Sequence, residues 1–203
     1  MPELRTPEEK SPLGYELVKV IDTVHNKKEA AVVNTLSCFI IVLMILFGAF
    51  LFGFDRLERM LTSNEPGVLK WFLFRVVVIL VMAAVYVVLH EGVHIAFIKL
   101  IKKGVAVSFR YRFLYATVGC DESFSKVEYL LVCVAPVLIL GVILTVLCIA
   151  APLQWQWTIY IIQVLNFSSA AGDIFIFSIL SRMPKNILIR DNGVKINVYA
   201  STE

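Results

Sequence analysis

The sequence predicts an all-α membrane protein, a four-transmembrane-helix bundle with a small cytoplasmic β element. Of its 203 residues, 59% are hydrophobic and only 17% are charged, whereas soluble globular domains carry roughly 25% charged residues. The hydrophobic residues are gathered in four long runs, and two other stretches carry the pattern of β-strands. These observations favour a membrane protein over a soluble one.

The chain begins with a polar segment, residues 1–32, which holds three of the seven prolines. Within it, Tyr15, Val18 and Ile21 recur at a spacing of three residues. This spacing predicts a short helix that lies at the membrane interface, ahead of the first apolar run.

Four apolar runs follow, and each reaches the roughly 20 residues that a helix needs to cross about 30 Å of hydrocarbon. Their approximate bounds are Val33–Phe54, Trp71–Ile101, Val127–Ala151 and Gln156–Leu180. Backbone polar groups inside a bilayer must be hydrogen-bonded within the protein, so runs of this kind cross as helices. The sequence therefore predicts a transmembrane domain over residues 33–180.

The distribution of Lys and Arg predicts the orientation of these helices. With four spans, the N-terminal segment, the link between the second and third helices and the C-terminal tail share one side of the membrane. Those segments carry fifteen Lys and Arg residues, against four in the first link and none in the third. The positive-inside rule then puts both termini in the cytoplasm. The predicted cytoplasmic segments are 1–32, about 104–126, and 181–203.

Strand patterns occur in two of these cytoplasmic segments. Between Val105 and Phe113, apolar and polar residues alternate with the period of a half-buried strand. In the tail, Asn192-Gly193 separates two β-prone stretches, which is typical of a two-residue hairpin turn. We therefore expect a small cytoplasmic β element that includes a hairpin over residues 187–198.

The residues that point to chemistry are His90-Glu91-Gly92-Val93-His94, inside the second apolar run. On a helix, residues four apart lie on one face with Cβ atoms about 5–6 Å apart, so His90 and His94 can bind one metal ion. Glu91 lies beside them, where it can act as general base towards a metal-bound water. Because a charged side chain at the centre of a bilayer costs about 3 kcal/mol, the pattern favours a metal site over a chance match.

A zinc site of this type needs a third protein ligand and leaves its fourth position for water. Asp173 is the preferred candidate, because the fourth run contains no Lys or Arg with which it could pair. His25, the remaining histidine, lies in the polar N-terminal segment and is the second candidate. His90 and His94 lie eleven and seven residues before the end of their run, and Asp173 lies seven before the end of its own. All three are therefore expected at similar depth, roughly 10–17 Å beneath the cytoplasmic helix ends.

Two polar residues share the helix face of this acid. Asn166 and Ser169 precede Asp173 by seven and four residues. One interpretation is that they bind the substrate backbone or admit water to the metal. The other is that they form hydrogen bonds between helices, as Ser and Asn commonly do in membranes.

An HExxH motif in one span and an intramembrane Asp two spans later resemble the site-2 type of intramembrane zinc metalloproteases. The chain also resembles a bacterial family described as putative zincin peptidases, a domain family of unknown function. The matching features, between about Trp71 and Tyr199, are the HEGVH motif, Ala135-Pro136, Ser169-x-x-Gly172-Asp173 and Arg190-Asp191. The resemblance implies Zn²⁺ bound by His90, His94 and Asp173, with Glu91 as catalytic acid and base. The chain departs from the site-2 pattern, Asn-x-x-Pro before Asp-Gly, because no proline follows Asn166 at that spacing and Ile174 follows the Asp.

The predicted function is that of an integral, multi-pass cell membrane zinc metallopeptidase. It would hydrolyse peptide bonds of membrane-associated or transmembrane proteins, either within the membrane plane or just beneath it, and the lipid bilayer is its other expected partner. The stretch 105–113 would hold the substrate by strand addition. One alternative is a non-hydrolytic membrane metal-binding protein or transporter, which needs the histidines and Asp173 but not Glu91. Another is a structural protein in which the motif is incidental. Nucleic acid is not expected as a partner, because the basic residues form no patch with interleaved aromatics.

Overall fold

The computed structural model describes residues 11–55, 57, 67–112 and 115–202. The helices are α1 (Lys27–Phe52), α2 (Val68–Ile101), α3 (Lys126–Ala150), α4 (Leu153–Ser169) and α5 (Ala171–Ser181). The strands are β1 (Tyr15–Ile21), β2 (Val107–Arg112), β3 (Tyr115–Ser125), β4 (Ile187–Asp191) and β5 (Ile196–Ser201).

Four helical stretches are long and apolar enough to cross a membrane. They are Lys27–Phe52, Leu69–Ile101, Lys126–Ala150 and Leu153–Ser181. The prediction of four helical stretches that are long and apolar enough to cross a membrane is thereby confirmed. In the most apolar windows of the first two stretches only 11% and 6% of the residues are buried inside the protein. Exposed apolar surface of this extent is typical of helices that face lipid.

The fourth predicted run forms two helices rather than one, because the backbone leaves the regular helix at Ala170, with φ −69° and ψ 0°. Just before this point, the Ser168 hydroxyl donates to the Leu165 carbonyl at 3.2 Å, and the Ser169 hydroxyl donates to the Asn166 carbonyl at 3.4 Å. Serine side chains that bond to the preceding turn compete with the backbone ladder and bend helices. The interruption gives α5 a first turn of its own.

The small β element is confirmed as an antiparallel sheet of five strands in the order β1-β5-β4-β3-β2. The predicted strand over 105–113 corresponds to β2, which pairs with β3 at the edge of the sheet. In the tail, β4 and β5 pair with Ile189 opposite Val198. The turn between them places Gly193 at φ 82°, a conformation that glycine adopts without strain.

The prediction of an interfacial helix near the N-terminus is wrong, because the segment forms β1. This strand pairs along β5, from Tyr15 opposite Ser201 to Ile21 opposite Ile196. An isolated helix of this length is marginal in stability. The strand instead gains backbone hydrogen bonds from β5 and buries Ile21 to 1% exposure. The β-branched residues of this stretch suit the extended form.

The ends of three helices are tied together beside the sheet. Ser125 caps α3 reciprocally with Glu128, so the helix starts directly where β3 ends. Lys102, just after α2, pairs with the Glu128 carboxylate at 3.0 Å. Lys126 donates to the Ser181 carbonyl at the end of α5 at 2.8 Å. These contacts hold the ends of α2, α3 and α5 at one level.

The main hydrophobic core lies between the sheet and these helix ends. Its most deeply buried members come from β1, β3, β4, β5 and α5, and they are Ile21, Phe124, Leu180, Ile189 and Val198. Full burial of one such side chain contributes roughly 1.5–3 kcal/mol. The core therefore fixes the sheet against the helices that carry the candidate site.

Candidate metal centre

The motif histidines lie on the inner face of α2, one helical turn apart. Their ring centroids are 5.1 Å from each other, and His90 is only 7% exposed. The opposite face of the same turn is open, because a Cβ added at Gly92 would meet nothing within 4 Å. The two imidazoles therefore point into the protein, as the spacing of four residues requires.

Asp173, in the first turn of α5, reaches both rings. Its Oδ2 is 3.5 Å from His90 Nε2 and 3.6 Å from His94 Nε2. One potential ligand atom from each residue lies within 4.8 Å of the other two. Among the described residues this is the one such group of three or more His, Cys, Asp or Glu side chains. The structure thus brings together, from two separate helices, the three residues that the sequence predicts as ligands.

The second ring nitrogen of His94 is hydrogen-bonded to the neighbouring helix. His94 Nδ1 lies 3.0 Å from the carbonyl oxygen of Val132 in α3. A carbonyl oxygen can only accept a hydrogen bond, so Nδ1 carries the proton. In the neutral ring this leaves a lone pair on Nε2, the nitrogen nearer Asp173. A contact of this kind orients a metal-binding histidine and selects its tautomer.

The second ring nitrogen of His90 contacts a tyrosine of the same helix. The Tyr86 hydroxyl lies 2.9 Å from His90 Nδ1 and 2.7 Å from the Ser169 hydroxyl. Tyr86 is 4% exposed, so these contacts are shielded from water. Tyr86 was not predicted from the sequence to be part of the site. The available signal was its position four residues before His90, which puts both side chains on one helix face.

A cavity of about 160 Å³ opens beside the cluster. Polar side chains from the helices and from β4 line one part of it, and apolar side chains from the helices, the sheet and the β1–α1 link line the rest. Its lining includes Ile21, Val24, Glu91, His94, Ile98, Val118, Tyr129, Val132, Cys133, Asp173, Ile176, Asp191 and Ile196. The partly buried Glu91 therefore faces the same space as two members of the cluster.

The sheet contributes a carboxylate to this cavity that was not predicted from the sequence to belong to the site. Asp191, at the end of β4, accepts hydrogen bonds from the Tyr129 hydroxyl and from the backbone N–H of Gly193. Removal from water raises the pKa of the Asp191 carboxyl above its usual range, and these two hydrogen bonds oppose part of the rise. Its position before Asn-Gly was the available signal, because Asp commonly bonds to the backbone of such turns.

The other predicted site residues do not line the cavity. Asn166 is fully buried, and its side-chain amide donates to the Val137 carbonyl of α3 at 3.4 Å. It is not among the residues that line the cavity. Ser169 likewise lies outside the lining and contacts Tyr86. The His25 side chain is 61% exposed and pairs with Asp22 at 3.2 Å. It is not part of the cluster.

The cluster fits a zinc ion by donor type and by spacing. Two imidazole nitrogens and one carboxylate oxygen form the donor set of catalytic zinc sites, which keep a fourth position open. In a tetrahedral site with bonds of about 2.0–2.1 Å, the ligand atoms lie about 3.3–3.4 Å apart. The distances from Asp173 Oδ2 to the two Nε2 atoms, 3.5 and 3.6 Å, are close to that value.

A comparison with protein families identifies a family that the chain matches. The family model described as "Putative zincin peptidase" matches residues 83–188, which is more than half of the chain and contains α2 from Ala83 onwards through to β4. The matched region includes His90, His94 and Asp173. No match is found among curated proteins or among solved structures.

Proposed function

The chain belongs to the family described as "Putative zincin peptidase", and on that premise we propose that it is a membrane-embedded zinc metallopeptidase. The family implies a zinc cofactor and peptide substrates. The observation that carries the proposal for this chain is the approach of Asp173 to both Nε2 atoms, at 3.5 and 3.6 Å.

In this proposal His90, His94 and Asp173 hold the ion. When bound, zinc supplies Lewis-acid chemistry, since it polarises a substrate carbonyl and makes a water molecule more acidic. The protein's own contribution is a set of ligands that are already oriented. Val132 fixes one ring and Tyr86 contacts the other. The ligands therefore need little rearrangement before the ion binds.

Glu91 is the proposed catalytic acid and base. Glu91 lines the same cavity as His94 and Asp173. There it can accept a proton from the attacking water at one oxygen and then donate that proton to the nitrogen of the leaving amine. Each peptide bond consumes one water, and the carboxylate returns to its starting state. Acid–base catalysis of this kind contributes typically 10²–10⁴-fold to the rate.

The membrane orientation predicted from Lys and Arg places the sheet and both chain termini in the cytoplasm. His94 lies seven residues before the end of α2 at Ile101, which is about 10 Å along a helix axis. The site would then lie just beneath the cytoplasmic membrane surface. This position favours membrane-associated or transmembrane proteins as substrates, cleaved where a segment enters from that side.

The edge strand β2 is the proposed docking position for the substrate backbone. It pairs with β3 on one side and ends the strand order of the described sheet on the other. An extended peptide can add to such an edge through main-chain hydrogen bonds. Proline replacements in β2 should slow cleavage, because proline cannot donate to a ladder. Cleavage at an unchanged rate would count against this docking mode.

Replacement of Glu91 by Gln tests the enzymatic proposal. We expect Glu91→Gln to keep stoichiometric zinc and to lose peptidase activity by roughly 10²–10⁴-fold. Substrates should accumulate, and they can be identified by proteomics of membrane fractions from cells that carry either form. Gly92→Ala is the matched control, because an added Cβ there has open space. A non-hydrolytic transporter predicts instead that Glu91→Gln keeps metal flux and leaves the membrane proteome unchanged.

A further inference from the structure

Pro136 lies inside α3 and removes one donor from its hydrogen-bond ladder. A proline has no backbone N–H, so the carbonyl four residues earlier loses its helical partner. That carbonyl belongs to Val132, which is only 5% exposed. A buried carbonyl without its helical partner needs another hydrogen-bond donor, because leaving it unsatisfied is costly.

The donor that it meets is His94. The Nδ1 atom of His94 lies 3.0 Å from the Val132 oxygen. The proton must be on Nδ1, which leaves the lone pair of the neutral ring on Nε2. That atom is 3.6 Å from Asp173 Oδ2. The Val132 carbonyl and the Asp173 carboxylate therefore lie against opposite ring nitrogens of His94.

We propose that Pro136 is a positioning residue for the metal centre. By freeing the Val132 carbonyl, it holds His94 in the tautomer and rotation that direct Nε2 towards Asp173. The inference rests on the metal site proposed above. His90 differs, because its Nδ1 contacts the Tyr86 hydroxyl, which can either donate or accept and so does not select a tautomer by itself.

Ring-¹⁵N NMR of the metal-free, full-length protein in detergent tests this directly. The chain contains only three histidines, so each gives a resolvable signal. Under mildly basic conditions, wild-type His94 should carry a proton on Nδ1, hydrogen-bonded to the Val132 carbonyl. A wild-type His94 in the Nε2–H form would overturn the proposal without any variant.

Pro136→Ala restores an N–H that competes for the Val132 carbonyl. We expect His94 to become a tautomer mixture and zinc affinity, measured by chelator competition, to fall by roughly 10–100-fold. A wild-type tautomer pattern together with wild-type affinity in Pro136→Ala would contradict the proposal. The NMR result needs neither zinc nor substrate. The Nδ1–H tautomer in a protein that binds no zinc would therefore support this inference and refute the proposed function.

An ester at position 136 separates the missing N–H from the proline ring. Incorporation of lactic acid, the α-hydroxy analogue of alanine, removes the donor without the ring. This variant should regain the wild-type His94 pattern and zinc affinity. If the ester variant instead has the His94 pattern and the zinc affinity of Pro136→Ala, the effect of Pro136 comes from its ring and not from the freed Val132 carbonyl, and the proposal is contradicted. An ester at the exposed position of Val142 controls for the chemistry of the linkage.

Discussion

Replacement of Tyr86 by Phe should weaken zinc binding while leaving the packing of α2 intact. The phenyl ring fills the same buried volume, so the change is confined to the hydroxyl. That hydroxyl lies 2.9 Å from His90 Nδ1 and 2.7 Å from the Ser169 hydroxyl. Ser169 keeps a second contact with the Asn166 carbonyl at 3.4 Å. The group left without its partner is therefore Nδ1 of His90.

The magnitude follows from the burial of this contact. With Nε2 on the ion, Nδ1 of His90 would have to carry the proton, and a buried donor left unsatisfied in that state costs about 1–3 kcal/mol. The metal-free ring can instead change its tautomer, so this cost falls on zinc binding, where every 1.4 kcal/mol is tenfold in affinity. Zinc affinity should then fall by roughly 5- to 150-fold, which agrees with the 10–100-fold found when partners of metal-binding histidines are removed. Competition with a chromophoric chelator in detergent measures the change.

Tyr160→Phe provides a matched control for this experiment. Tyr160 is also 4% exposed and donates to the Met44 carbonyl at 2.7 Å, in a core cluster separate from the site. It should lower the thermal midpoint by a similar amount and leave zinc affinity unchanged. Equal zinc affinities for Tyr86→Phe and the wild type would refute the assigned role of Tyr86. Equal losses in both variants would show a general effect of lost stability.

Three further predictions concern Asp173 and the sheet. Asp173→Asn should lose stoichiometric zinc on dialysis. Gly172→Ala is the control and should retain zinc, because its added Cβ has open space. If both variants retain zinc, Asp173 is not a ligand. Gly119→Ala should lower the free energy of unfolding by about 1–3 kcal/mol, because its Cβ would lie 2.3 Å from the β4–β5 turn backbone, and Gly92→Ala is the control. Burial raises the pKa of the Asp191 carboxyl in the folded state above its ordinary value of 3.8. Between those two pKa values the folded state therefore binds more protons than the unfolded state. The stability that Asp191 contributes consequently declines as the pH rises from about 3.8 towards the folded-state pKa. The thermal midpoint of the wild type should therefore fall more than that of Asp191→Asn over that pH range. If the two thermal midpoints change with pH in parallel, the raised pKa of Asp191 is contradicted.

The sequence predicts the parts of the site that depend on local spacing. His90 and His94 share a face on any helix, and an acid such as Asp173 in an apolar helix indicates a function. Contacts across elements were not predictable in the same way. The bond from His94 to the Val132 carbonyl depends on how α2 and α3 are rotated against each other, which no spacing within one helix reveals.

In the fold, too, features set by local sequence are predictable, whereas those that depend on contacts between distant segments are not. The four apolar helices follow from the length of the hydrophobic runs alone. The strand β1 does not, because its hydrogen-bond partner is β5, at the other end of the chain. The spacing of Tyr15, Val18 and Ile21 suits a helix, but pairing with β5 decides the conformation. The break at Ala170 depends likewise on serine side chains that bond to the preceding turn.

X-ray absorption at the zinc edge of the purified, zinc-loaded protein tests the central claim most directly. Binding by His90, His94 and Asp173 predicts about one zinc per chain, with two imidazole nitrogens and carboxylate or water oxygens at about 2.0–2.2 Å. Sulfur scattering at about 2.3 Å would instead indicate a thiolate such as Cys133, which also lines the cavity. That result, or the absence of stoichiometric zinc, would contradict the proposed site.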